Sequence, residues 1–163
     1  MAGELEVIDQ VIAQHKIIRL NLQGVQTSLT DFDALFSLQK VQSGWAQSSV
    51  DKLLDQKRQL QDALTQVQTG LNTHFSYEEK TLPPLFGEAF MKALIFAHGE
   101  IKQQISKAVS MVNSSNLEGL SQPDLRAEKS RLQAATHTLG QMVEQHATTE
   151  EQMLKMLRKA FEG

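Results

Sequence analysis

Cysteine is absent from the 163-residue chain. Disulfides, thiolate nucleophiles, iron–sulfur clusters and cysteine-bound zinc are therefore excluded together. Proline and glycine are scarce, with three and nine residues, so few breaks interrupt segments that are rich in Leu, Gln, Ala, Glu and Lys, a helical composition. Any chemistry must come from histidines, carboxylates or hydroxyls.

Charge of one sign is not in large excess either. Sixteen Lys and Arg against 19 Asp and Glu leave a formal net charge of −3 at pH 7, and no stretch gathers the basic residues into a face that would track phosphates. Nucleic acid is therefore not expected as a partner. No apolar run is long enough to cross a bilayer, and the first six residues carry acids where a signal peptide needs basic residues. These features predict a cytoplasmic protein that does not enter a membrane.

The chain is predicted to form one all-α domain spanning residues 1–163. Its length is that of an ordinary domain, and 40% hydrophobic residues are enough to bury a core. Apolar residues recur in steps of mostly three and four, which is the helical period, and short connections after the second and third helices make those neighbours antiparallel. The expected architecture is an up-down-up-down antiparallel four-helix bundle, with helices near residues 4–29, 49–81, 88–112 and 123–161.

The segment between the first two predicted helices is the least regular part of the chain. Thr30 to Gly44 mixes acids with apolar residues without a clean period, which favours a loop with a short helix. Trp45 closes this connector. Together with Phe32 and Phe36 it is expected to cap the far end of the bundle, and a docking surface for a partner is the alternative interpretation.

Each of the four apolar stripes passes through a histidine when it is continued at the same step. A single histidine on an apolar stripe is more often a hydrogen-bonded core residue than a ligand, but four on four stripes indicate a shared polar object inside the bundle. Two of them are followed four residues later by a glutamate on the same face. The candidate ligands are His15, His74, Glu78, His98, His146 and Glu150. His137, nine residues before His146, points the other way and is expected to be exposed.

The second and fourth helices carry matching motifs. Residues 74–82 read HFSYEEKTL and residues 146–154 read HATTEEQML, so both fit HxxxEExxL. This repeat suggests two related helical hairpins that face each other. In that arrangement each of two metals is bound by one histidine from an odd-numbered helix and one from an even-numbered helix, and Glu78 and Glu150 bridge the metals. Ordinary surface pairs are the alternative interpretation of the two acids. Glu79 and Glu151 are expected to be solvated, or else to replace or support a ligand.

These residues resemble the hemerythrin-like, or HHE cation-binding, domains. The resemblance spans nearly the whole chain, and it implies a four-helix bundle with a non-heme di-iron centre bridged by an oxo or hydroxo group. His15, His74, Glu78, His98 and His146 match the family's ligands, and Glu150 serves as the second bridge. Glu151 is the alternative second bridge, because some members space that acid five residues from its histidine. One departure is Leu94, which stands four residues before His98 where the family often has a further histidine.

The resemblance implies a protein that binds or senses oxygen, nitric oxide or iron, with a small diatomic or oxygen-derived ligand at the metals. A small di-iron oxidase or peroxidase is the alternative, because a bundle with bridging carboxylates can activate oxygen. An acid free inside the bundle, or Tyr77 near the site, would favour the enzyme. A metal-free helical scaffold is the third interpretation. Manganese and zinc also accept histidine and carboxylate ligands, so iron rests on the resemblance alone.

Overall fold

The chain folds into a ring of four long helices. The computed structural model describes residues 2–41, 47–115 and 122–162, and the helices are α1 (Ala2–Val41), α2 (Gln47–Thr81), α3 (Glu88–Ser114) and α4 (Gln122–Glu162). Each helix packs against the next, and α4 closes the ring against α1. The predicted all-α, up-down-up-down antiparallel four-helix bundle is therefore confirmed. Over these three ranges, none of the helices is both long and apolar enough to cross a bilayer.

The predicted end of the first helix is wrong. Helix α1 continues past Leu29 to Val41, through the segment predicted as a loop with a short helix. Residues 30–41 contain neither Gly nor Pro, so nothing in the backbone stops the hydrogen-bond ladder, and loss of a clean apolar period does not itself end a helix. The other predicted boundaries lie within two residues of those observed.

Some predictions fall where the structure gives no test. Trp45 lies outside the described residues, as do the side chains of Phe32 and Phe36. Their assignment as a cap or a docking surface stays a prediction. So do the single domain over residues 1–163 and the cytoplasmic location.

The buried apolar side chains form two clusters, one toward each end of the bundle. The upper cluster is the larger and comprises Ile18, Val25, Leu60, Leu64, Val67, Leu71, Phe75, Ile101, Ile105, Ala108, Val112, Leu132, Ala135, Leu139 and Val143. The lower cluster comprises Ile8, Val11, Leu82, Met91, Leu94 and Leu154. On every helix a histidine lies at the boundary between its upper and its lower residues. A polar layer therefore separates the two apolar clusters.

The turn from α2 to α3 keeps the distance between the lower cluster and the polar layer short. Pro83 and Pro84 have no N–H and cannot extend the helical ladder. The turn is instead formed by hydrogen bonds from the backbone N–H groups of Leu85 and Phe86 to the carbonyl of Leu82, at 2.8 and 3.1 Å. Leu82 is fully buried, and its own N–H donates to the carbonyl of Glu78 at 2.9 Å. One turn of helix therefore ties Glu78 to the lower end of the core.

Candidate metal centre

The six predicted ligand side chains converge in the polar layer. They come from all four helices, and five of them are buried, while His146 is 12% exposed. Their ligand atoms fall into two overlapping sets, within each of which all atoms lie within 4.8 Å of one another. The first set is His15, His74, Glu78 and Glu150, and the second is Glu78, His98, His146 and Glu150.

Both carboxylates face both sets of histidines. Glu78 Oε1 contacts His74 Nε2 directly, and its Oε2 lies 3.5 Å from His98 Nε2. Glu150 Oε1 lies 3.1 Å from His15 Nε2, and its Oε2 lies 3.3 Å from His146 Nε2. Each glutamate thus turns one oxygen toward each set, which is the arrangement that bridging two cations requires.

The atoms at the middle of the cluster have no hydrogen-bond partner among the described residues. There are eight of them, namely the four histidine Nε2 atoms and the four oxygens of Glu78 and Glu150. Buried polar groups are normally satisfied, and each one left without a partner costs several kcal/mol. Imidazole nitrogens and carboxylate oxygens suit iron, manganese and zinc. The donor set therefore fits a pair of metal cations, which would satisfy all eight atoms at once.

Three of the four histidines are held from behind through their other ring nitrogen. His15 Nδ1 lies 2.9 Å from Glu151 Oε1, and His98 Nδ1 lies 3.0 Å from Glu79 Oε1. His74 Nδ1 lies 2.6 Å from the side-chain oxygen of Gln14. A proton on Nδ1 donates to these acceptors, and Nε2 then keeps its lone pair for a metal.

The second acid of each HxxxEE motif thus has a definite place. Glu79 and Glu151 are not simply solvated, because each reaches across to the histidine of the neighbouring odd-numbered helix. Of the two adjacent acids in the α4 motif, Glu150 faces the ligand cluster and Glu151 lies behind His15. The repetition of the adjacent glutamates in both even-numbered helices is the sequence signal that points to this role.

The sequence did not predict that Arg19 and Gln14 contribute to the site, but the structure places both behind candidate ligands. Arg19 Nη1 donates to Glu151 Oε1 at 2.9 Å, and its Nε and Nη2 donate to the two oxygens of Glu144, both at 3.0 Å. Burial raises the pKa of the Glu151 carboxyl, but Arg19 and His15 together outweigh burial and keep this pKa below its usual range. Arg19 lies four residues after His15 on the same helix face, and that spacing is its only sequence signal.

Without a cation, the cluster balances its charges with protons. Burial lowers the pKa of His15, but the close carboxylates of Glu150 and Glu78 outweigh burial and raise the pKa to about 10. Burial raises the pKa of Glu78 to about 9. Burial and the charge on His15 lower the pKa of His74 to about 3. Burial also disfavours the charge on Glu150, yet the neighbouring imidazoles of His146 and His15 keep its pKa well below the usual range. A protonated His15 beside an ionised Glu150 occupies the metal-free cluster.

Aromatic and aliphatic side chains enclose the polar layer. The ring of Phe75 is buried and stacks on His98, with centroids 3.9 Å apart and an angle of 12°. Its edge also meets His146 at 5.8 Å. Leu94 belongs to the lower cluster, where it packs as an apolar residue one turn from His98, and Tyr77 packs against the same cluster. His137 is exposed, as predicted.

The sequence profile of the family described as "Hemerythrin HHE cation binding domain" matches residues 7–158. This match includes all six candidate ligands. No curated protein and no solved structure shows significant similarity to the chain.

Proposed function

The chain belongs to the hemerythrin HHE cation-binding domain family, and from that premise we propose that it is a non-heme di-iron protein that binds or senses oxygen, nitric oxide or iron. The proposed ligands are His15, His74, Glu78, His98, His146 and Glu150. His15 and His74 would hold one iron and His98 and His146 the other, with both glutamates shared between them.

One observation carries this proposal: eight buried imidazole nitrogens and carboxylate oxygens converge without hydrogen-bond partners among the described residues. A metal-free scaffold would have to keep them so, at a cost of several kcal/mol each. Three of the histidines also point Nε2 inward, because Glu151, Gln14 and Glu79 lie behind them. Metal-ligating histidines usually have this orientation. A cation pair gives a reason for both features.

Binding or sensing is favoured over an oxidase or peroxidase. An enzyme of this kind needs a positioned group that moves protons, and each acid in the polar layer already has another role. Glu78 and Glu150 are proposed ligands, while Glu79 and Glu151 accept hydrogen bonds from histidines. Tyr77 packs in the lower cluster, and its hydroxyl has no hydrogen bond to the described residues. Among the described residues, the polar layer therefore holds neither a further acid nor a tyrosine hydroxyl bonded to it that could serve as the proton donor.

The space beside the cluster suits a small ligand. An apolar cavity of about 10 Å³ lies against three of the histidines, which is near the minimum volume that holds one water-sized molecule. Its walls include Ile18, Leu71, Phe75, Val143 and Ala147. Four imidazoles and two bridging carboxylates supply about eight bonds, fewer than two six-coordinate irons take. Positions therefore remain at the irons for a small diatomic or oxygen-derived ligand.

The test is metal analysis of protein that has been reduced and loaded anaerobically with ferrous iron. We expect about two irons per chain, and we expect nitric oxide or oxygen to change the visible absorbance of the loaded protein. Parallel loading with manganese and zinc compares the alternatives for metal identity. Protein that retains no metal under any of these conditions would leave the helical scaffold as the function.

A further inference from the structure

The two halves of the candidate centre are not equivalent in what lies behind their ligands. The first half is defined as the pair His15 and His74, and the second half as the pair His98 and His146. Both halves share Glu78 and Glu150. Any difference between them must therefore come from the residues that contact the outer face of each histidine.

In the first half, both imidazoles are held. His15 Nδ1 lies 2.9 Å from Glu151, which Arg19 also contacts at 2.9 Å. Arg19 is in turn clamped by both oxygens of Glu144, so the acceptor behind His15 is fixed by an ion-pair network. His74 Nδ1 lies 2.6 Å from the amide oxygen of Gln14. Neither ring can rotate without breaking a hydrogen bond.

In the second half, only one imidazole is held. His98 Nδ1 lies 3.0 Å from Glu79, a side chain that is 31% exposed and that no Lys or Arg contacts within the described part of the chain. His146 Nδ1 has no hydrogen bond to any described residue, and at 12% His146 is the most exposed of the four ligand histidines. No hydrogen bond at Nδ1 therefore fixes the orientation of this ring.

The difference traces to one pair of equivalent positions. Gln14 precedes His15 on α1, and α1 packs against α2, which carries His74. Ala97 precedes His98 on α3, and α3 packs against α4, which carries His146. By the twofold relation of the two hairpins, Ala97 occupies the place of Gln14, and its methyl group cannot accept a hydrogen bond.

We propose that the two metal positions are unequal, that the first half binds its metal more tightly, and that Gln14 is the positioning residue responsible for part of this difference. The inference rests on the proposed function, since it assumes that the six side chains bind two metals. Acceptors behind a ligand histidine set its tautomer and orientation, and losing one typically lowers metal affinity by about 10- to 100-fold. The second half lacks one such acceptor, so its metal binds last and leaves first.

The test is anaerobic calorimetric titration of the metal-free protein with ferrous iron alone. The natural chain should bind iron in two steps whose dissociation constants differ by about tenfold or more. Gln14→Leu keeps the side-chain size but removes the acceptor, and it should weaken the tighter step by about tenfold. Gln14→Glu restores an acceptor and should restore tight binding, whereas a side chain that acts only by packing would not require the oxygen. Gln10→Leu, at an exposed position on the same helix, should change neither step.

A gain of affinity provides the complementary test. Ala97→Gln places an amide in the position opposite His146 and should tighten the weaker step, bringing the two constants closer together. Two equal steps in the natural chain, or equal weakening of both steps by Gln14→Leu, would overturn the inference while leaving the proposed function intact. A chain that takes up no ferrous iron would overturn the proposed function itself.

Discussion

The two apolar clusters and the polar layer between them are built from the same helical stripes, yet they differ in what completes them. Every apolar residue in the clusters is satisfied by packing alone. The polar layer instead holds eight buried imidazole nitrogens and carboxylate oxygens that have no hydrogen-bond partner among the described residues. Packing suffices for the two clusters, whereas the layer offers groups of side chains that are able to hold metal ions. On the proposed function, the clusters stabilise the fold by packing, and the layer contributes through the metals that it binds.

The largest effect is expected from removing a ligand in the polar layer. His74→Ala should abolish binding at the first half and lower the metal content. A metal present at a thousand times its Kd stabilises the fold by about 4 kcal/mol, so its loss should lower Tm by roughly 10 °C. Elemental analysis and thermal unfolding of metal-loaded protein measure both. His137→Ala, at an exposed position on α4, is the matched control, and equal effects of the two variants would refute the ligand assignment.

A change in the upper cluster should have the opposite pattern. Leu64 is fully buried there, and Leu64→Ala should reduce the free energy of unfolding by about 3 kcal/mol, through lost burial and the cavity left behind. The loss should be the same with and without metal, and metal content should not change. Urea unfolding of both forms is the measurement. A destabilisation that appears only in the loaded protein would show that the two parts of the core are not separable.

Proton release should distinguish the layer from the clusters at neutral pH. The pKa values of about 10 for His15 and about 9 for Glu78 leave both groups protonated at pH 7 in the metal-free protein. A metal needs neutral histidine and ionised glutamate, so binding should release about two protons and should tighten as pH rises toward 9. Calorimetry in buffers of different ionisation enthalpy counts these protons. Binding without proton release would contradict the charge balance inferred for the empty cluster.

The smallest effect is expected from extending the polar layer by one residue. Leu94 packs in the lower cluster one turn before His98, and Leu94→His would add a donor at the boundary between the two parts. On the proposal that open positions at the metals make the reduced, iron-loaded protein prone to oxidation by air, this added ligand should slow that oxidation. Stopped-flow absorbance after mixing with oxygen measures the rate. Leu94→Met controls for packing, and identical rates for all three proteins would show that the missing ligand does not govern reactivity.

Much of the fold and of the candidate site can be predicted from the sequence, because both depend on local periodicity. A step of three or four residues places Ile8, His15 and Ile18 on one helix face whatever the neighbouring helix does. The same step identifies the ligand pairs His74–Glu78 and His146–Glu150. The predicted end of the first helix was wrong, because the apolar period fades after Leu29 but no Gly or Pro in residues 30–41 ends the helix.

The sequence by itself determined that four histidines and two glutamates would face one core, since helical phase is a local property of the chain. Only the tertiary structure decided which groups lie behind them. Glu151 reaches His15 from 136 residues away, and Gln14 reaches His74 from 60 residues away. A hydrogen bond requires two atoms within about 3 Å, and the spacing and rotation of neighbouring helices set that distance. These arise from the packing of the whole bundle, and no motif along one helix records them.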